Sequence, residues 1–162
     1  EVPTPESGFT IVDRQDVLTI DPTPKTLGEL ASETYSLEER NKINNTLTFT
    51  VNLSPDTAIL WRWFWCAIDQ ETLDRNMKEI GVLFSIDGQE VSKDLWVQLI
   101  FKNKDSSYKD WKCFMYETVL KDWKVGTYHL EQTVTLKSAI NDGQDTYPAG
   151  FKTYNYTVNI YP

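Results

Sequence analysis

Histidine occurs once in these 162 residues, and cysteine and methionine twice each. No apolar run approaches the roughly 20 residues of a membrane span, and no signal-peptide core is present. The chain is therefore expected either to be cytosolic or to be numbered from after a removed leader. The lone histidine, His129, leaves no paired-imidazole site, and neither Gly-x-Ser-x-Gly nor a glycine-rich phosphate loop occurs. The two cysteines, Cys66 and Cys113, lack the Cys-x-x-Cys spacing of zinc or thioredoxin chemistry. Positive charge is also short: 16 Lys+Arg stand against 24 Asp+Glu, a net −8. Such a surface repels phosphates, which argues against nucleic acid and anionic membranes as partners. Carboxylates are plentiful, yet nothing in their spacing selects a glycosidase pair. No catalytic residue and no cofactor are expected.

Aromatic residues, by contrast, are concentrated. In Trp61-Arg62-Trp63-Phe64-Trp65-Cys66 three indoles recur at every second position. That matches the two-residue period of a strand and misses the 3.6-residue period of a helix. Trp61, Trp63 and Trp65 share one face; Arg62, Phe64 and Cys66 share the other. Each indole buries on the order of 200 Å², so burial favours the row as core between sheets. The alternative is an outward platform that stacks sugar rings. If Cys66 faces inward, regular alternation turns the indoles outward; a bulge at 65–66 or a disulfide on the sheet's outer face reconciles the two. A Cys66–Cys113 bridge is the favoured reading, with two buried free thiols as its alternative. Closing that loop would contribute roughly 4 kcal/mol on the chain-entropy argument.

The length suits one domain. Residues 1–8 read as an extended Thr/Pro linker stub and 9–162 as a single β-sandwich. Val17 to Ile20 form a candidate strand, and Ser36-Leu37-Glu38-Glu39 fits a capping box. From Asn45 strand follows strand: Leu47, Phe49, Val51 and Leu53 alternate with polar residues, and strands are expected at 58–66, 82–86, 95–102, 110–120, 127–136 and 151–161. One helix interrupts them, with Asp69 as N-cap and Leu73, Met77 and Ile80 on one face. Asp87-Gly88 signals a hairpin. Trp96 and Trp111 flank the polar turn at 102–107, which predicts a cross-strand aromatic pair. Asn141-Asp142-Gly143-Gln144-Asp145 offers oxygens for Ca²⁺ through Asn141, Asp142 and Asp145, although a tight turn demands the same residues. Sequons at Asn44, Asn52 and Asn155 select neither reading.

Eight or so strands and one short helix make the fold all-β: a two-sheet antiparallel sandwich. Trp123-Lys124-Val125-Gly126-Thr127-Tyr128 resembles the corner before the penultimate strand of immunoglobulin-like sandwiches, where a Tyr hydroxyl bonds back to the corner. With the Trp-x-Trp-x-Trp-Cys strand and the Ile-Asn-Asp-Gly loop, residues 58–161 resemble uncharacterised secreted or lipoprotein domains of bacteria. That resemblance implies a sandwich secreted or anchored to the cell envelope, and brings no activity. The function read from the chain is a noncatalytic extracytoplasmic binding or structural module for an unidentified protein or carbohydrate. The carbohydrate alternative uses Trp61, Trp63 and Trp65. No residue pattern bears on oligomeric state.

Overall fold

The computed structural model describes residues 8–162, apart from the Ser106 side chain. Along the chain run β1 (Thr10–Ile11), α1 (Arg14–Val17), α2 (Leu27–Leu30), α3 (Leu37–Asn41), β2 (Asn45–Leu53), β3 (Ile59–Ala67) and α4 (Gln70–Glu79). There follow β4 (Ile80–Ile86), β5 (Gln89–Glu90), β6 (Val97–Lys102), β7 (Lys112–Lys121), β8 (Gly126–Leu136), β9 (Ile140–Asn141), β10 (Thr146–Tyr147) and β11 (Gly150–Ile160). The first sheet is built on β7, with β3 along one side and β6 and β1 along the other. The second runs β2-β11-β8-β4-β5. Together they form an immunoglobulin-like sandwich. One pairing departs from the expected antiparallel arrangement: β2 lies parallel to β11, from Asn45 beside Lys152 to Leu53 beside Ile160. Alternation tells which face of a strand is buried but not which neighbour it takes, so this pairing left no local trace.

Local chemistry explains most element ends. Ser36 and Glu39 form the reciprocal capping box of α3, and Thr26 and Glu29 form another at α2 that the sequence reading passed over. Asp69 accepts from the Thr72 amide and starts α4, which carries the chain from the first sheet to the second. Asp87 and Gly88 both take positive φ, as a tight two-residue hairpin requires. Residues 17–20 are not a strand. The Asp13 side chain accepts from the Gln15 amide and opens α1, whose Val17 packs with Leu60, Val97 and Val119 in a small cluster on the outer face of the first sheet.

The main core fills the space between the sheets. Trp61, 1% exposed, meets Phe84 edge-on at 5.3 Å and Trp96 at 5.1 Å, and Phe84 stacks on Trp96 at 3.9 Å. Trp96 therefore does not face Trp111 across a hairpin. Lys102 pairs with Lys112, so Trp111 sits at the turn beside Tyr108 while Trp96 precedes β6 and turns inward. At the opposite end the corner closes as the resemblance implies: the Tyr128 hydroxyl lies 2.9 Å from the Lys124 carbonyl and 3.0 Å from that of Gly8. The Gly8 carbonyl also accepts from the Lys124 amide. A Cβ at Gly8 would lie 2.0 Å from the phenol oxygen, so only glycine fits. Gly8 thus belongs to the corner; the rest of the proposed linker, 1–7, lies outside the described residues.

Trp61→Ala should destabilise the domain by about 3–5 kcal/mol, as large-to-small core changes do. Tyr128→Phe should cost about 1 kcal/mol, since a buried hydroxyl and its carbonyl partners separate. Urea titration of both variants checks these values; an unchanged midpoint for Trp61→Ala would mean that its indole is not a core element.

Candidate functional site

Nine consecutive residues of β3 pair with β7 in one uninterrupted register, Ile59 beside Leu120 through Ala67 beside Lys112. With no bulge, the two faces of β3 stay distinct. Trp61 and Trp63 point into the core, at 1% and 8% exposure, and Trp65 on the same face is half-buried. A flat sugar platform made of all three indoles is therefore corrected: the second sheet covers two of them. Arg62, Phe64 and Cys66 lie on the outer face, and Cys66 stands directly beside Cys113. The two form a disulfide across neighbouring strands of one sheet, with Cα atoms 4.0 Å apart. The bridge on the outer face reconciles inward indoles with paired cysteines. Arg62 donates from Nε to Glu117 Oε2 at 2.6 Å, its cross-strand neighbour.

The loop 137–149 does not gather its acidic side chains around a cation site. Asp142 is buried, and its Oδ1 accepts from the Gln144 and Asp145 amides while Oδ2 accepts from the Tyr147 hydroxyl. Asn141 accepts from the Gly143 amide and donates to Thr146. The side-chain oxygens of Asn141 and Asp142 are thus locks of the turn, and no cluster of three His, Cys, Asp or Glu side chains suited to a metal occurs among the described residues. Asp145 contributes its backbone: its carbonyl accepts from the Asp142 amide.

What the sequence reading missed is a cleft. The first sheet ends at β3, and alongside Arg62, Trp63, Phe64 and Trp65 opens a cavity of about 420 Å³. Tyr154 and Tyr156 of β11 and Gln132 and Val134 of β8 form its far wall; Tyr147, Pro148 and Lys152 close its loop end. Tyr156 is held by stacking on Phe49 at 4.8 Å, and Trp65 by an edge contact with Tyr147 at 5.0 Å. A second cavity of about 490 Å³ lies against the 103–111 turn, sharing Arg62, Phe64, Trp65 and Tyr147 with the first. Among the described residues, the charged ones lining the first cavity are Arg62 and Lys152, with no carboxylate. Its titration behaviour follows from low polarity. Burial raises the Tyr154 and Tyr156 phenols and lowers the Lys152 ammonium. Burial, then the nearby Asp142 carboxylate, pushes Tyr147 up to about 12. The alternation of Tyr154 and Tyr156 was visible in the sequence; that they meet the Trp-bearing strand across a gap was not.

Two predictions follow from this geometry. Thiol titration of denatured, unreduced protein should find no free thiol, and two per chain would remove the bridge. Asp142→Asn should lower the Tyr147 pKa by removing a neighbouring negative charge, read as earlier phenolate absorbance on alkaline titration. Because the folded Tyr147 pKa lies above that of the unfolded chain, its stabilising contribution is complete below about 10 and declines as pH rises toward about 12. The Asp142→Asn variant should show a shallower decline in that window.

No family model matches the chain, and no curated protein matches it. Among solved structures it is similar to a chain of the complex of PbICP-C with falcipain-2, with 14% identity over 75% of this chain and 92% of that one, at a TM-score of 0.41. It is also similar to EhICP2, a cysteine protease inhibitor from Entamoeba histolytica, with 15% identity over 72% of this chain and 86% of that one, at a TM-score of 0.34. Likeness at this level transfers neither a residue role nor an activity.

Proposed function

We propose that this protein is a noncatalytic extracytoplasmic binding module whose binding site is the cleft beside β3. The observation that carries the reading is the composition of that cleft. Aromatic side chains from two sheets, Trp65 on one and Tyr154 and Tyr156 on the other, line an open space together with the polar groups of Asn41, Arg62, Gln132 and Lys152. Binding sites have this character: largely apolar, with a few polar groups that orient the ligand. Among the described residues its lining has no carboxylate, histidine or thiol that could serve as acid, base or nucleophile. The extracytoplasmic part of the proposal rests on the Cys66–Cys113 disulfide, a bond that persists in oxidising compartments. Of the proposed sugar-stacking row only Trp65 has a partly accessible face, so a carbohydrate ligand would stack there rather than along β3.

The test is titration of the protein with neutral and acidic oligosaccharides and with extended peptides, following tryptophan emission. A ligand of this site should shift the emission, and Trp65→Phe and Tyr154→Ala should each weaken it by about tenfold, the loss of one aromatic contact. A ligand whose affinity is indifferent to both substitutions would place binding elsewhere and overturn the proposal.

A further inference from the structure

Part of the backbone edge of β3 is left without a partner strand among the described residues. In an antiparallel pair, residues alternate between bonding the partner strand and pointing their N–H and C=O groups away from it. The Leu60 amide bonds outward to the Lys25 carbonyl, and the Ile68 amide, just beyond the strand, bonds outward to the Asp142 carbonyl. Since the register between them is unbroken, Arg62, Phe64 and Cys66 also point their backbone groups outward. None of the three has a backbone partner on that side among the described residues. The chain's own segments thus occupy both ends of this edge, through the parallel Thr26–Leu60 bridge and the 140–147 loop. Between them lies a stretch of about 26 Å at the usual rise per residue. Unpaired strand edges are ordinarily blunted by charge, proline or a bulge. This one has Phe64 at 51% exposure, and Arg62, its charged residue, is tied sideways to Glu117.

We propose that an extended, acidic segment of a partner protein adds to this edge as a further strand of the first sheet; the inference rests on the cleft being the binding site. Backbone bonds to Arg62, Phe64 and Cys66 would supply the pairing, and side-chain alternation would divide the peptide's residues between two surroundings. One set enters the cleft against Trp65, Tyr154 and Tyr156. The other lies over Arg62 and Phe64 on the outer face. Charge complementarity selects acidic residues at the Arg62 end of the peptide: among the described residues the charged side chains lining the first cavity are Arg62 and Lys152, whereas Asp105 and Asp142 line the second cavity at the Cys66 end. Arg62 uses only Nε for Glu117, so the rest of its guanidinium remains for a peptide carboxylate. Glu29, close enough to interact with Arg62, is engaged in the capping box of α2.

The experiment selects a random-peptide display library against the full chain and synthesises the enriched sequences. They should alternate Asp or Glu with β-branched or aromatic residues, and should slow hydrogen exchange of the Arg62, Phe64 and Cys66 amides by about tenfold or more. Methylating the peptide amides that face β3 should abolish binding, while methylating the alternate set should spare it. Phe64→Pro removes an outward-facing N–H without breaking a bond to β7, as edge positions tolerate, and should weaken binding by about tenfold. If that variant fails to fold, the methylated peptides decide alone. Enriched peptides that are basic, or that leave the three amides unprotected, overturn strand addition. If an oligosaccharide or peptide still shifts Trp65 emission, the binding-module reading survives that failure. An empty selection overturns strand addition, and absence of any emission shift in the titrations overturns both.

Discussion

The register between β3 and β7 is the constraint on which the rest of the structure depends. Because it runs from Ile59 to Ala67 without a bulge, one side of β3 carries Ile59, the three indoles and Ala67 toward the core, while the other carries the salt bridge and the disulfide. A slip of one residue would exchange the two sides, placing Arg62 among Phe84 and Trp96 and three indoles in solvent. The Cys66–Cys113 bond fixes that register covalently at the loop-bearing end. The Trp61–Phe84–Trp96 cluster fixes it by packing further along. The two devices act on opposite faces of the same strand pair and agree.

The sheets meet tightly around Trp61 and part around Trp65, and side-chain size accounts for the difference. Toward the corner, the inner face of β11 carries Val158 and Ile160, both fully buried against the first sheet. Toward the loops it carries Tyr156, Tyr154 and Lys152, none of them fully covered. Tyrosine keeps its hydroxyl near water and lysine its ammonium, so these residues favour a splayed end over a closed one. With β3 as the last strand of its sheet, the parting becomes a cleft with one open side.

Much of the fold was legible in the sequence, because much of it is written with local periods. Alternation from Asn45 to Leu53 marks β2, the Asp69 cap starts α4, Asp87-Gly88 makes its hairpin, and Trp123 to Tyr128 make the corner. What was not legible depends on partners distant in the chain. The parallel β2–β11 pairing has no signature in either strand alone. Trp96 lies near a turn in sequence, yet its neighbours in space are Phe84 and Trp61. Asn141 and Asp142 hold their own turn through side-chain bonds, and a side chain that locks a turn and one that awaits a cation are spelled alike. The cleft belongs to β3, β8 and β11 at once, and no one of them announces it.

The corner has a mechanical consequence. Gly8 is held by the Lys124 amide and the Tyr128 hydroxyl, and Ile160, the last residue of β11, pairs with Gly126 only two residues from that tyrosine. Tension applied between these two points would be borne by the corner. Its load path would bypass the end where β3 and β11 diverge, so a pull on these two points would leave the mouth of the cleft undeformed.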